Sequence, residues 1–185
     1  MNPGIPENPG GAPAEFSRVF RVDDLPPGGS TVTLTADATE CAALARRFGL
    51  LALRSLTVQA RFSPRPVARG VGRSVQVEGR FEAEVEQECV VTLEPVSNRV
   101  ADRFALVFAD QVAPAEPDLS PDLEAEEPEP LVDGAFDLGE AVAELLALAI
   151  DPYPRSPGAV FEPPAEAAEE RQSPFAVLRR LSAKS

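Results

Sequence analysis

Few residues of this chain are of types that do chemistry. Histidine is absent, which removes Ser-His-Asp and Cys-His nucleophile arrangements, histidine general bases and histidine metal ligands. The two cysteines lie far apart, Cys41 in a helical pattern and Cys89 on the apolar parity of a strand. Both read as buried, inert thiols, and nothing suggests a disulfide framework. Carboxylates are abundant, but they either alternate along one stretch or crowd into a proline-rich linker. General acid–base catalysis wants carboxyls in a water-poor cleft with shifted pKa values, and neither setting offers one. Gly28 and Gly29 are followed by neither a Lys-Ser/Thr pair nor a helical pattern, so they cradle no phosphate. No nucleophile elbow is present either. The expectation is a protein that is not an enzyme and uses no metal or other cofactor.

Arginine is the chemical group that remains. Between positions 46 and 80 stand Arg46, Arg47, Arg54, Arg61, Arg65, Arg69, Arg73 and Arg80, against the single acid Glu78. From Phe81 to Asp133 acids heavily outnumber Arg99 and Arg103. Two readings follow. The arginines form a cationic strip that meets phosphate or another partner, since guanidinium pairs bidentately with phosphate. Alternatively they face the carboxylates of a neighbouring strand across a sheet. No aromatic residues interleave with them, so base stacking is unsupported.

The element that must position these groups is a long hairpin from Ser74 to Phe108. Val75, Val77, Phe81, Ala83, Val85, Cys89, Val91 and Leu93 fall on odd positions. Gln76, Glu78, Arg80, Glu82, Glu84, Glu86, Glu88, Thr92 and Glu94 fall on even ones, with Val90 the exception. A strand sends successive side chains to opposite faces, so this parity makes one apolar and one charged face. Pro95, Ser97 and Asn98 predict the reversal, and Val100, Phe104, Leu106 and Phe108 the return. Gly79 is expected to mark a bulge or bend.

Around the hairpin, Glu15–Val22 and Thr31–Thr35 read as strands separated by a Pro-Pro-Gly-Gly loop. Asp37 and Glu40 have capping-box spacing and open a helix to about Phe48, stopped by Gly49, with Arg46 and Arg47 in its last turn. Leu50–Phe62 is the next strand, with Leu56, Val58, Ala60 and Phe62 inward, and Pro64–Arg73 an arginine-studded loop. Leu131–Phe136 adds a short strand. Asp137 and Glu140 repeat the capping spacing and open a second helix, which buries Val142, Leu145, Leu146, Ala149 and Ile150 and ends at Asp151-Pro152-Tyr153-Pro154. Ser173–Leu181 forms a short amphipathic turn of helix that either docks on the domain or awaits a partner. The fold class is α+β: a mainly antiparallel, strongly curved sheet of about five to seven strands, or a partly closed barrel, with two main helices.

Composition bounds the whole. With 185 residues, 44% hydrophobic, the chain buries one core, and its 20 prolines point to long irregular stretches. Residues 1–14 read as a disordered tail, 15–160 as one domain with an acidic, proline-rich disordered loop at 113–130, and 161–185 as a second tail. A net charge of -13 and a pI near 4.4 repel polyanions and attract basic partners. The first residues lack the basic and apolar regions of a signal peptide, and the longest apolar run, near Ala141 to Ile150, is too short for a bilayer. A cytoplasmic protein with no membrane contact is expected.

Three blocks in order carry a resemblance: GRFEAEVEQECVVTLEPV (79–96), FDLGEAVAELLALAIDPYPRSPGA (136–159) and SPFAVLRRL (173–181). The combination of Cys89, Leu93, Glu94 and Pro95, an acidic gap, then Asp137, Leu138, Asp151, Pro152, Tyr153 and Pro154 resembles the YceD family of large ribosomal RNA subunit accumulation proteins, in its alphaproteobacterial form. The resemblance implies a non-enzymatic bacterial factor that supports synthesis, processing or stability of large-subunit ribosomal RNA. Its implied partners are that RNA or a large-subunit precursor, reached directly or through a basic ribosomal protein. Many members carry Cys-x-x-Cys where this chain has Cys89-Val90-Val91-Thr92. Thr92 supplies no second thiolate, so a metal or redox role does not carry over. The alternative reading is a protein-interaction adaptor that makes no RNA contact and uses the linker and Ser173–Leu181 as bait.

Overall fold

Alternating apolar side chains and two well-capped helices build two sheets around one core. The computed structural model describes residues 14–65, 72–110 and 128–161. Its elements are β1 (Val19–Arg21), β2 (Ser30–Thr35), α1 (Ala38–Phe48), β3 (Ala52–Pro64), β4 (Ser74–Glu88), β5 (Pro95–Ala109), β6 (Glu129–Pro130), β7 (Ala135–Asp137) and α2 (Leu138–Ala149). The strands form a five-stranded sheet, ordered β2-β3-β4-β5-β6, and a separate pair, β1-β7. Every pairing is antiparallel except β5 with β6.

The α+β class therefore holds, but of the strongly curved sheet or partly closed barrel expected, no closed barrel is present among the described residues. The larger sheet is mixed and open, ending in β2 and β6, because β1 pairs with β7 instead of extending it. The predicted strand at Glu15–Val22 shrinks accordingly to three residues, with Phe16 buried ahead of it in the core. The expected disordered segments lie outside the described residues except at their margins, where Glu129–Pro130 forms β6.

The long strands are where alternation predicts them. Leu56, Val58, Ala60, Phe62, Val75, Val77, Phe81, Ala83 and Val85 are all buried on the inner face. Against them pack Cys41, Leu44 and Ala45 of α1, and Leu138, Ala141, Val142, Ala143 and Leu146 of α2. Four rings join the two sheets. Phe108 stacks on Phe136 at 4.6 Å between centroids, Phe62 meets Phe136 edge-on at 5.6 Å, and Phe20 meets Phe62 at 4.7 Å. Each such pair contributes roughly 0.5–1.5 kcal/mol beyond its area burial.

Gly79 marks a close approach and not a bulge. A Cβ there would lie 2.5 Å from Phe104 Cζ and 2.6 Å from the Gln59 carbonyl oxygen, so the ring on β5 occupies the space a side chain would need. The register shift falls between Leu53 and Ser55 instead. The hairpin also turns earlier than expected. β4 ends at Glu88, which pairs with Pro95, and residues 89–94 form the turn, with Leu93 at φ 62 and 68% exposed. Val91 and Leu93 thus leave the apolar face assigned to them, and Pro95 opens a strand, where its missing N–H costs least.

Both helices start as the capping residues require. Asp37 accepts hydrogen bonds from the Thr39 and Glu40 N–H groups, and Glu40 accepts from the Asp37 N–H, completing the box. Gly49 ends α1 in the left-handed region at φ 67. Asp137 caps α2 by accepting from Gly139 and Glu140 N–H. Glu140 does not complete a box, because its carboxylate is taken by Arg47.

Candidate functional site

Cross-strand register sets out the solvent face of the large sheet in rows. Arg61 lies opposite Glu78, Gln59 opposite Arg80, and Thr57 opposite Glu82. On the other side of β4, Arg80 lies opposite Arg103 and Glu84 opposite Arg99. Arg99 pairs with Glu82, and Arg54 with Glu86 at 2.5 Å. Arg80 donates two hydrogen bonds to Gln59 Oε1, at 2.9 and 3.2 Å. The Arg99 pairing lowers the Glu82 carboxyl pKa from its ordinary value. Solvent screens exposed pairs of this kind, so they fix the pattern of charge more than they stabilise the fold.

The arginines expected to act together are dispersed. Arg54, Arg61 and Arg80 share the sheet face. Arg47 bridges Glu15 and Glu140, joining α1 to α2 and to the segment before β1. Arg73 holds Asp110 and Asp23; the guanidinium keeps Asp110 below the usual carboxylate range. Arg46, Arg61, Arg65 and Arg80 have no carboxylate within 4.0 Å among the described residues. Arg69 lies outside the described residues. Arg99 and Arg103, left out of the strip because they sit among acids in sequence, share its face through the β4–β5 register. Register is the signal that could have found them.

The motif residues other than Asp137 and Leu138 lie at the hairpin tip and in the segment after α2. At the tip Cys89, fully buried, accepts hydrogen bonds at Sγ from the N–H groups of Val91 (3.5 Å), Thr92 (3.4 Å) and Ser156 (3.3 Å), and from the Ser156 hydroxyl (3.4 Å). Hydrogen bonds from Ser156 and then Thr92 outweigh desolvation and hold the thiol pKa down, to about 6. Cys41 is the contrast: burial pushes its pKa up. Cys89 is buried as expected, but its sulfur is hydrogen-bonded in a way that favours the thiolate, and Ser156 had no signal in the linear pattern. Among the described residues no group of three or more His, Cys, Asp and Glu is placed to hold a metal ion.

The segment after α2 is fastened to the same turn. Val90 N–H donates to the Pro154 carbonyl (2.9 Å), and Gln87 Nε2 donates to the Asp151 carbonyl (2.8 Å). Asp151 accepts from Tyr153 N–H, closing a local turn that leaves Tyr153 72% exposed. Pro154 is buried, while Leu93, Glu94, Pro95, Asp151 and Pro152 are exposed. Asp137 and Leu138 lie at the opposite end of α2. Asp137 also accepts from Ser17 Oγ and Arg18 N–H, and Leu138 is fully buried.

The fold and this junction define an α+β domain with a charged open sheet face and a hairpin tip clasped by the segment that follows α2. A family model described as "Large ribosomal RNA subunit accumulation protein YceD" matches residues 77–182, more than half of the chain. The chain belongs to the YceD family. Neither the curated proteins nor the solved structures contain a match. No helix among the described residues is long and apolar enough to cross a membrane.

Proposed function

We propose that this protein supports the synthesis, processing or stability of large-subunit ribosomal RNA by binding in the bacterial cytoplasm, without making or breaking a bond. The observation that carries this reading is the family match, which spans the β4–β5 hairpin, the Cys89 junction and α2. The family is described by what accumulates, large-subunit ribosomal RNA, and not by a reaction.

Contact through a basic protein on the precursor is the favoured route. Arg47, Arg54 and Arg73 are already paired, and a net charge of -13 opposes broad contact with phosphates. Direct RNA contact falls to Arg46, Arg61, Arg65 and Arg80. The test is sedimentation. The protein co-sediments with large-subunit precursors at low salt and leaves them as salt rises. If it stays at the top of the gradient at low salt, and precursors accumulate normally in its absence, the reading fails. Deleting Ser173–Ser185 separates the second reading, an adaptor without RNA contact: an adaptor loses its partner, whereas contact through the sheet survives.

A further inference from the structure

Among the described residues the β4–β5 hairpin has one strand edge open. Cys89 N–H donates to the Glu94 carbonyl (2.8 Å), and these two residues continue the Glu88–Pro95 pairing. In an antiparallel ladder hydrogen-bonded pairs alternate, so the even-numbered residues of β5 turn their backbone toward β4. The odd-numbered ones, Ser97, Arg99, Ala101, Arg103 and Ala105, turn N–H and C=O to the other side. Ala109 confirms the phase: its carbonyl accepts from Leu131 N–H on that side. β6 covers only Phe108 and Ala109. Among the described residues the edge from Ser97 to Ala105 thus has one backbone group satisfied, the Arg103 N–H, which Asp102 Oδ1 accepts at 2.7 Å.

A groove of about 490 Å³ runs between this edge and the end of α2, lined in part by Gln87, Asn98, Val100, Asp102, Ala149 and Asp151. Arg99 also lines it, but its guanidinium is paired with Glu82, so the unmet demand lies with the acceptors. Gln87 is 8% exposed, and its Oε1 is buried without a donor. The amide cannot be turned to cure this, because Nε2 already donates to Asp151. The last turn of α2 carries no basic residue, so its carbonyl end stays uncompensated. Asp102 and Asp151 add two carboxylates. The groove therefore asks for donors and positive charge, while the strand edge asks for another strand.

We propose that the free edge of β5 is a strand-addition site for an extended segment of a basic protein. Backbone pairing would run along Ser97–Ala105, and a Lys or Arg side chain would enter the groove toward Gln87 Oε1 and the end of α2. A second copy fits less well. Antiparallel self-pairing centred on Ala101 sets Arg99 of one copy against Arg103 of the other, a like-charge pair. The inference takes from the proposed function only its expectation of a basic protein partner.

The test uses the full chain and an acetylated peptide, about nine residues long to match the edge, that alternates Val with Lys and Arg. Glu replaces the basic residues in the control peptide. The basic peptide is expected to bind and to slow amide exchange at Arg99 and Ala101 by about tenfold or more, while the acidic one leaves both unchanged. Ala101→Pro removes an N–H that β4 does not use and should weaken binding about tenfold; Gln87→Leu should weaken it by a smaller factor. The proposal is overturned if the saturating basic peptide leaves those amides unprotected, or if Ala101→Pro binds as the parent does. It is also overturned if the amides are already protected without peptide. Protection independent of protein concentration then assigns the edge to the chain itself, and concentration-dependent protection to a second copy. Peptide binding without co-sedimentation would count against the proposed function alone.

Discussion

Cys89 sits fully buried beneath four donors, a setting that favours the thiolate although burial opposes it. Its folded pKa, about 6, lies below the ~8.5 of an unperturbed thiol. Between those values the unfolded chain binds the proton and the native one does not, so stability rises with pH across that window and the contribution is lost as pH falls through 6. Absorbance at 240 nm in a Cys41→Ser background should show a thiolate titrating with a midpoint near pH 6. Thermal melts should show a matching rise in stability that Cys89→Ala abolishes; a midpoint near the unperturbed value would refute the assignment. At Gly79 the constraint is steric. Gly79→Ala places a methyl against Phe104 and the Gln59 carbonyl and should cost about 1–3 kcal/mol in urea unfolding. Neither effect is visible from residue type alone, since a strand cysteine reads as core and a strand glycine as a bulge.

Among the elements, the two helix starts look alike in sequence and differ in what they hold. Asp37 and Glu40 close a local box that Arg18 reinforces with a bidentate contact at 2.7 and 2.9 Å. Asp137 instead ties the start of α2 to Ser17 and Arg18, far away in the chain. Asp37→Ala should therefore cost about 1 kcal/mol, and Asp137→Ala about 2 kcal/mol or more, because it also strips partners from two part-buried groups. Urea midpoints of the two variants decide it: equal losses would mean that the second cap acts only locally. The caps, the strands β2 to β5 and the inner-face residues were legible because their signals are local, in alternation, spacing and punctuation. The hairpin turn was misplaced although Val90, breaking parity directly after Cys89, marked the end of alternation. The β1–β7 pair left no trace, since nothing near Val19 names Asp137 as its neighbour.

For the molecule as a whole, the ring cluster is the joint between the two sheets. Phe136→Ala removes contacts with Phe20, Phe62 and Phe108 together and should cost about 3–5 kcal/mol. Much of a small domain's margin would go with it, and soluble yield in cells should fall even though the variant lies far from the sheet's solvent face. Charge belongs to the same scale. The arginines read as one strip are spread by the fold over a helix end, a loop and a sheet face, and three of them tie elements together. Linear clustering showed the excess of cations, but their distribution depends on strand register and on which acids the core brings near.

The pairing of Val19 with Asp137 also sets an order of events during translation. β1 precedes every other strand of the described residues, yet its strand partner among them is made more than a hundred codons later. Until β7 arrives, Phe20 has no Phe136 to stack on and Asp137 cannot cap α2. The β3–β4–β5 pairings are more local in the chain and can form before that, whereas β1 must wait for β7.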